Sequence, residues 1–260
     1  MPEEAEKPVT LRVFRANPAQ GVEGHYQTLQ VPTQPGMTVL SALLYAKEQL
    51  DHSIAIRFSC RMASCGSCGM KINGLPRLAC YTQVGDFRSS SITVEPLEHY
   101  PLVRDLVTEF NGFFGMHQSV KPFLLRRDTA EQETIEAEYS QSQRELDSFL
   151  QFSYCIKCGL CNAACPTVAT DPLFTGPQAL GQAYRYVADS RDEGASARLN
   201  VVDQAHGVWR CHFAGACSFV CPKGVDPALA IQHLRRLVIT RSITKRAGAP
   251  LMAKRPSQLL

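Results

Sequence analysis

Long apolar runs are missing from this 260-residue sequence, and its longest apolar stretches fall far short of a membrane span. A G-x-G-x-x-G motif that would open a βαβ unit is also missing, so no flavin-binding fold is predicted in this chain. No Ser/His/Asp or paired-carboxylate constellation with a clear role is visible, and no catalytic residue is predicted. With 45% hydrophobic residues and a mean hydropathy of -0.13, the chain suits one or two globular domains.

Acidic residues are missing from residues 227–260, which contain seven Lys and Arg residues although the whole protein has a net charge of only +3. Such a basic segment favours contact with an anionic lipid surface or an acidic partner, and a solvated tail is an equally weighted alternative. At the other end, residues 1–7 are rich in glutamate, which argues against a secretory or mitochondrial leader. No nucleic-acid partner is expected.

Cysteine, in contrast, is abundant, with eleven residues in three blocks. The first block has the spacing C-x4-C-x2-C with a fourth cysteine further on, which is typical of a plant-type [2Fe–2S] site. Its predicted ligands are Cys60, Cys65, Cys68 and Cys80. Gly66 and Gly69 lie in this loop, where they let backbone N–H groups point at cluster sulfurs.

The second block, C-x2-C-x2-C-x3-C-P, is the pattern of two-cluster bacterial ferredoxins, in which the fourth cysteine of each run binds the other cluster. The third block repeats these offsets with Ala214 in place of the second cysteine. The exchange of fourth ligands predicts a [4Fe–4S] cluster on Cys155, Cys158, Cys161 and Cys221. The remaining ligands predict a cube that lacks one iron, [3Fe–4S], on Cys165, Cys211 and Cys217.

Other uses of these cysteines fit less well. Zinc also binds C-x2-C pairs, but it takes four ligands per site and does not need a third cysteine three residues after the second. Zinc binding therefore stays a minor alternative. The odd number of cysteines and their tight spacing disfavour disulfides. Reduced cysteines and cluster assembly indicate a compartment that faces the cytosol.

The first part of the chain predicts strands around one helix. Four segments have the apolar pattern of strands: 9–15, 26–31, 54–58 and 91–95. Asn73-Gly74 predicts a hairpin turn between two further short strands. Thr38 is the expected N-cap of a helix that runs through Leu50. This arrangement is the β-grasp ferredoxin plan.

The second part predicts mainly helices. Residues 103–114 are predicted to be helical, and residues 126–145 to be a connector with some helix. Pro177 and Pro227 suit the first turns of helices that end near Ala188 and Ile239. The predicted fold class is therefore α+β, with an N-terminal β-grasp, plant-type ferredoxin domain followed by an α-helical, bacterial-ferredoxin-like domain. The predicted ranges are 1–105 for the [2Fe–2S] domain, 106–150 for the connector, 151–240 for the helical two-cluster domain and 241–260 for the basic tail.

Six motifs carry a resemblance to a known family: C-R-M-A-S-C-G-S-C at 60–68, R-L-A-C at 77–80, C-I-K-C-G-L-C-N-A-A-C-P at 155–166, D-S-R-D at 189–192, G-V-W-R-C at 207–211 and C-P-K-G-V-D-P at 221–227. With them the sequence resembles the iron–sulfur subunit of succinate dehydrogenase and fumarate reductase over nearly its whole length. The G-V-W and K-x-V-D-P motifs resemble the fumarate reductase branch of this family more closely than the succinate dehydrogenase branch.

The resemblance implies an electron-transfer subunit of a succinate:quinone oxidoreductase, with no flavin or dicarboxylate site of its own. Its partners would be a flavoprotein subunit with FAD and one or more membrane anchor subunits that bind quinone and, in some cases, haem b. The [2Fe–2S] cluster would lie nearest the flavin, [4Fe–4S] in the middle and [3Fe–4S] nearest the quinone. The anchor subunits would hold the chain peripherally on the cytoplasmic face of the inner or plasma membrane.

The resemblance also implies a quinone site near the [3Fe–4S] ligands, formed by Pro166, Trp209, His212, Gln232 and Arg235. A core position for Trp209 and a hydrogen bond from His212 to a cluster sulfide are the alternatives. Arg235 stands where the fumarate reductase branch tends to have lysine, so proton delivery by a lysine is not expected there. Thr170 stands where one branch has a tryptophan.

Two other functions stay open at this point. One is the iron–sulfur subunit of another flavin dehydrogenase complex, and the other is a free-standing multi-cluster electron carrier. Copurification with a flavoprotein and a membrane anchor would distinguish them.

Overall fold

A computed structural model of the chain describes residues 8–127, 133–134 and 138–246. The described residues of Met1–Asn111 and Ile156–Ala164 form one compact unit, and those of Gly112–Cys155 and Cys165–Leu260 form the other. The glutamate-rich start, part of the predicted connector and residues 247–260 of the predicted basic tail lie outside the described residues. Ile156–Ala164 belongs to the first unit although it follows a long stretch of the second. The predicted domain limits themselves stay a prediction.

The first unit is built on a five-stranded mixed sheet. Its strands are β1 (Val9–Asn17), β2 (Val22–Val31), β3 (Gly69–Ile72), β4 (Leu75–Leu78) and β5 (Ser91–Glu95). They lie in the order β2-β1-β5-β3-β4, with β1 and β5 parallel and the other neighbours antiparallel. Alternate residues of β1, beginning with Val9, Leu11 and Val13, are buried, as the alternating sequence predicts.

Helix α1 (Val39–Tyr45) completes the predicted β-grasp arrangement. The Oγ1 of Thr38 accepts a hydrogen bond from the N–H of Ser41 at 3.1 Å, which confirms the predicted N-cap. The helix continues as a wider turn over Ala46–Leu50. Its buried residues are Val39, Leu40, Ala42 and Leu43.

Two predicted elements are wrong. Residues 54–58 lie outside the strands of the described chain, and residues 103–114 are not one helix. The latter range contains a short hairpin, made of β6 (Leu102–Arg104) and β7 (Val107–Thr108), before helix α2 (Asn111–Ser119) begins.

The buried carboxylate of Asp105 explains both errors. Asp105 lies in the hairpin turn with a left-handed φ of 49°. Its oxygens accept hydrogen bonds from the backbone N–H groups of Ala16 at 3.0 Å and Ala55 at 2.8 Å. The N–H of Ala55, which a strand ladder would use, is therefore bonded to a distant side chain instead. These tertiary hydrogen bonds override the local apolar pattern.

The second unit is helical. Apart from α5 (Leu160–Ala163), which belongs to the first unit, the remaining helices are α3 (Gln143–Asp147), α4 (Leu150–Ser153), α6 (Pro166–Thr170), α7 (Pro177–Ala188), α8 (Ala195–Val202), α9 (Ala216–Phe219) and α10 (Pro227–Arg246). Single 3-10 turns occur at Pro18–Gln20, Val84–Asp86 and Val208–Arg210. Helix α7 has its predicted bounds, and α10 extends past its predicted end near Ile239.

Helices α7 and α10 form the centre of the second core. Leu180 and Ala183 of α7 and Ile231 and Leu234 of α10 are buried in one apolar cluster, against which several cysteines of the second and third blocks pack. This core places the cysteine segments on a rigid support. In the part of the chain that the structure describes, no helix combines the length and the apolar character needed to cross a membrane.

Candidate iron–sulfur cluster sites

The loop before β3 directs its backbone N–H groups at cysteine sulfurs. Seven N–H groups approach Sγ atoms at 3.2–3.5 Å: that of Cys80, which follows β4, and six in this loop, on Cys60, Met62, Ala63, Ser64, Cys65 and Ser67. Each of the four predicted [2Fe–2S] ligands accepts at least one of these bonds. Left-handed φ angles of 55° at Arg61 and Ala63 help the loop to wrap in this way. Such a set of donors fits a negatively charged cluster.

The thiols of this loop differ in acidity. Hydrogen bonding, first from Ser67, lowers the pKa of the exposed Cys65 to about 6. Burial, with a smaller contribution from Cys80, raises the pKa of Cys68 to about 12. A buried thiol of this kind ionises when a metal ion binds it, because the ion supplies the compensating positive charge. The donor set is therefore suited to iron.

The residue Gly66 brings this loop into contact with the second cysteine block. Gly66 has a φ of 75°, and a Cβ atom added there would lie 2.7 Å from the Cβ of Cys158 and 2.9 Å from its Cα. Both the backbone conformation and the space therefore require glycine. The contact joins the predicted [2Fe–2S] loop directly to a predicted [4Fe–4S] ligand.

The buried Tyr100 fixes the Cys158 segment in the first unit. Its hydroxyl donates to the carbonyl of Gly159 at 2.9 Å, and its ring stacks on Phe110 at a centroid distance of 4.5 Å. Burial raises the pKa of Tyr100 well above its usual range, and the nearby charges of Cys161 and Cys158 add to this effect. Tyr100 thus stays a neutral donor beside two predicted ligands.

The sequence repeat of the second and third blocks is also a repeat of backbone geometry. Lys157 and Phe213 occupy equivalent positions and have left-handed φ angles of 55° and 57°. Gly159 and Gly215, two residues later, have φ angles of 79° and 73°. The four-residue helices α5 and α9 follow at once. Both runs therefore adopt the same cysteine-presenting loop, although one of them lacks its second cysteine.

A pocket in the second unit gathers the cysteines predicted for [3Fe–4S]. Its wall includes Cys165, Cys211 and Cys217 together with Ala214. The rest of the wall is largely apolar, with Pro166, Phe174, Pro177, Ala228 and Ile231. Such a lining excludes water and favours a buried cluster.

The thiols around this pocket influence one another. Burial raises the pKa of Cys217 to about 11, and the charges of Cys165 and Cys211 contribute to the rise. The N–H of Phe213 donates to the Sγ of Cys211 at 3.3 Å. As in the first unit, buried thiols and a backbone donor fit an iron–sulfur cluster.

The side chain of Arg235 ties the Cys211 segment to helix α10. Its guanidinium donates to the carbonyl oxygens of Val208 at 2.9 Å, Trp209 at 3.4 Å and Cys211. It also lies 3.5 Å from the Oε1 of Gln232. Because five donors in a planar fork serve several acceptors at once, arginine suits this role better than lysine.

A second tie is made by the buried carboxylate of Asp171. One of its oxygens accepts hydrogen bonds from the Nδ1 of His206 at 2.7 Å and the Nε of Arg210 at 2.9 Å. The bond from His206 is the main cause that holds the pKa of Asp171 below its usual range. Asp171 directly follows α6, which begins after Cys165, so it links the segments of two predicted [3Fe–4S] ligands.

The residues predicted for the quinone site fall into two groups. Pro166 and His212 line the pocket itself. Trp209 is half exposed and donates from Nε1 to Asp203 at 2.8 Å, so it is not a core residue. Arg235 contacts the backbone of the Cys211 segment, and Gln232 lies beside Arg235.

Two buried polar side chains, Gln178 and His117, contact each other near Cys155 in the second unit. The Nε2 of Gln178 lies 3.9 Å from the Sγ of Cys155 and 3.1 Å from the Nδ1 of His117. Gln178 and His117 are both buried. No local sequence signal identifies Gln178, Asp171 or Tyr100, because their partners are distant in the chain.

Among the residues that the structure describes, no three His, Cys, Asp or Glu side chains converge on one point as a single metal ion would require. An iron–sulfur cluster has no such requirement, because each iron takes one thiolate in [3Fe–4S] and [4Fe–4S] and two in [2Fe–2S], and sulfide ions supply the other ligands.

Comparison with known proteins agrees with this geometry. Residues 10–115 match the family described as the 2Fe-2S iron-sulfur cluster binding domain, and residues 151–225 match the 4Fe-4S dicluster domain. The fold and sites therefore define a ferredoxin-type electron-transfer protein with several clusters.

Relatives that match most of the chain identify the family within this class of proteins. The chain is 44% identical to the fumarate reductase iron-sulfur subunit of Mycobacterium tuberculosis, over 91% of this chain and 95% of the relative. It is 38% identical to the mitochondrial succinate dehydrogenase [ubiquinone] iron-sulfur subunit 2 of Oryza sativa, over 87% of this chain and 73% of the relative. In a structure titled Mycobacterium smegmatis Sdh1 complex in the apo form, one chain superposes with a TM-score of 0.79 at 25% identity, over 92% of this chain and 98% of that chain.

The chain belongs to the family of iron–sulfur subunits of fumarate reductase and succinate dehydrogenase. It is the electron-transfer subunit of a succinate:quinone oxidoreductase and carries [2Fe–2S] and [4Fe–4S] clusters. The predicted family, fold class and function are thus confirmed.

Proposed function

We propose that the eleven cysteines divide among three clusters as their spacing predicts. The [2Fe–2S] ligands are Cys60, Cys65, Cys68 and Cys80, the [4Fe–4S] ligands are Cys155, Cys158, Cys161 and Cys221, and the [3Fe–4S] ligands are Cys165, Cys211 and Cys217. The observation that carries the proposal is the pocket whose wall combines three cysteines with Ala214. Because alanine has no lone pair to offer, this pocket supplies three thiolates, the number that a three-iron cube needs.

When bound, the clusters supply reversible one-electron transfer, which no side chain of this protein provides. The residues of the chain hold and tune them. Six N–H groups of the first loop and the N–H of Cys80 stabilise the negative charge that arrives with an electron. Gly66 allows the loop to approach Cys158 closely. The apolar wall around Cys217 keeps water out.

The proposed partners are a flavoprotein subunit with FAD and membrane anchor subunits that bind quinone and, in some complexes, haem b. Exposed apolar side chains beside the ligands support two such contacts, because exposed apolar surface commonly marks interaction sites. Met62 and Tyr81, next to the first loop, are 74% and 69% exposed. Trp209 and Phe213, on either side of Cys211, are 45% and 57% exposed. We assign the first pair to the flavoprotein and the second to the anchor, on the cytoplasmic face of the membrane.

Within the proposed quinone site, Pro166 and His212 are the residues expected to face the quinone, because they line the pocket. Trp209 would contribute its half-exposed ring. Arg235 and Gln232 would act through the Cys211 segment that Arg235 holds.

Electron paramagnetic resonance (EPR) of the full chain, reconstituted anaerobically, tests the ligand assignment. The oxidised protein should show a [3Fe–4S] signal, and the reduced protein a [2Fe–2S] signal. Cys217→Ser should abolish the first signal only, and Cys65→Ser the second only. Tightly bound zinc, with neither signal, would show that the assignment is wrong.

Purification of the native complex tests the partners. The complex should contain a flavoprotein and an anchor and should interconvert succinate and fumarate with a quinone or quinol. The chain alone should be inactive in this assay, because it has no flavin or dicarboxylate site. Isolation of the chain only as a free carrier that serves several enzymes would contradict the proposal.

A further inference from the structure

A buried glutamine stands out on the mostly apolar buried face of helix α7. Gln178 is only 3% exposed, directly after the Pro177 that begins the helix. A buried amide that lost its hydrogen bonds would be costly, so a glutamine at this position needs a partner. Its Nε2 lies 3.1 Å from the Nδ1 of His117 and 3.9 Å from the Sγ of Cys155.

These two neighbours determine how the amide is oriented. An amide nitrogen carries two hydrogens and can donate to two acceptors, whereas the amide oxygen can only accept. The Nδ1 of a neutral His117 accepts one hydrogen, which leaves the other for the sulfur of Cys155. The reverse orientation would place the lone pairs of the Gln178 oxygen against a thiolate. His117 therefore holds the amide with its N–H group towards Cys155.

We propose that Gln178 tunes the [4Fe–4S] cluster by donating a side-chain hydrogen bond to the thiolate of Cys155. The proposal rests on the assignment of Cys155 to that cluster. A hydrogen bond to a ligand sulfur stabilises the reduced cluster more than the oxidised one, because the reduced cluster carries more negative charge. Gln178 thus raises the reduction potential of this cluster.

The same helix offers a matched control. Gln182 lies one turn after Gln178, is also buried, and donates from Nε2 to the carbonyl of Phe152 at 2.9 Å. This hydrogen bond goes to a backbone oxygen and not to a sulfur. Replacement of either glutamine by methionine removes an amide of similar size from the same core. A difference in cluster potential between the two variants therefore reports on the bond to sulfur.

The experiment is a redox titration of the full chain in its complex, followed by EPR. Gln178→Met should lower the midpoint potential of the [4Fe–4S] signal, and Gln178→Glu should lower it further because of its charge. Both should leave the [2Fe–2S] and [3Fe–4S] midpoints unchanged, and Gln182→Met should leave all three unchanged. A [4Fe–4S] midpoint that is the same in Gln178→Met and wild type would overturn the inference.

A second measurement uses only wild-type protein, so it does not depend on whether a variant folds. In wild-type protein with ¹⁵N in the glutamine side-chain amides, pulsed EPR of the reduced [4Fe–4S] cluster should detect coupling to an amide nitrogen. The absence of this coupling from an intact signal would also overturn the inference. Wild-type protein without any [4Fe–4S] signal would instead show that the ligand assignment has failed.

Discussion

The Cα and Cβ atoms of Cys158 fill the space in which a side chain at Gly66 would lie. The nearest distance, from a Cβ added at Gly66 to the Cβ of Cys158, is 2.7 Å, which is too short for real atoms. The two residues belong to different cysteine blocks but to the same compact unit. This contact is a close approach, within the first unit, between the [2Fe–2S] loop and a proposed [4Fe–4S] ligand.

Gly66→Ala should therefore push the two cysteine segments apart and weaken the magnetic coupling between their clusters. Gly74→Ala is the matched control, because Gly74 has a similar φ of 82° but an added Cβ there meets nothing within 4 Å. The measurement is the microwave power saturation of the reduced [2Fe–2S] signal, which a nearby reduced [4Fe–4S] cluster relaxes. Equal relaxation in both variants would contradict the role of the contact.

Arg235→Lys should loosen the Cys211 segment, because one ammonium group cannot replace the planar fork that reaches three carbonyls. Unpaired, partly buried carbonyls should lower the free energy of unfolding by about 1–3 kcal/mol. Denaturant unfolding followed by the [3Fe–4S] signal measures this, with Arg236→Lys as an exposed control. A normal stability together with a raised KM for quinone would favour direct contact with quinone instead.

Asp171→Asn should make the [3Fe–4S] cluster easier to lose on heating, because the carboxylate holds His206 and Arg210 together. The effect should be modest, since both partners are about half exposed and solvent screens their charges. Asp203→Asn is the control, because Asp203 accepts from Trp209 in the same region. An equal loss of cluster in the two variants would show that Asp171 has no special role.

Ala214→Cys should supply the missing thiolate and convert the three-iron cluster to [4Fe–4S]. The oxidised [3Fe–4S] signal should disappear and the potential of the site should fall, because cluster type and net charge set the potential. Electron flow to quinone should slow while turnover with a soluble dye at the flavin persists. Ala214→Val, which adds bulk without a lone pair, should retain the signal. A wild type that lacks this signal despite intact metal content would contradict the interpretation of Ala214.

Local sequence signals predicted much of the fold. Thr38 caps its helix, and Asn73 and Gly74 have the positive φ angles of 46° and 82° that a tight hairpin turn needs. Each signal depends on neighbours in the chain. The errors at 54–58 and 103–114 arose where Asp105 supplies hydrogen bonds across tens of residues.

The same difference between local and long-range interactions applies to the residues of the cluster sites. The cysteines could be predicted because cluster geometry imposes fixed spacings within one loop. Gln178 and Asp171 could not, because each acts on partners that only the folded chain brings close. Nothing in the local sequence separates Gln178 from Gln182, one turn later.

The segments of the two units alternate along the sequence, and this order has a consequence for biosynthesis. Ile156–Ala164 completes the first unit only after the chain has left it at Asn111. At roughly 5–20 residues per second, a ribosome needs on the order of 2–9 s to make the intervening residues 112–155. During this interval Tyr100 and Phe110 have been made but their partner Gly159 has not.

The ligand sets are also completed in a fixed order. With the proposed assignment, the [2Fe–2S] set is complete at Cys80, the [3Fe–4S] set at Cys217 and the [4Fe–4S] set at Cys221. The [4Fe–4S] cluster is therefore the last that a nascent chain can receive. A chain that stops just short of Cys221 would carry ten of its eleven cysteines and still interrupt the electron path.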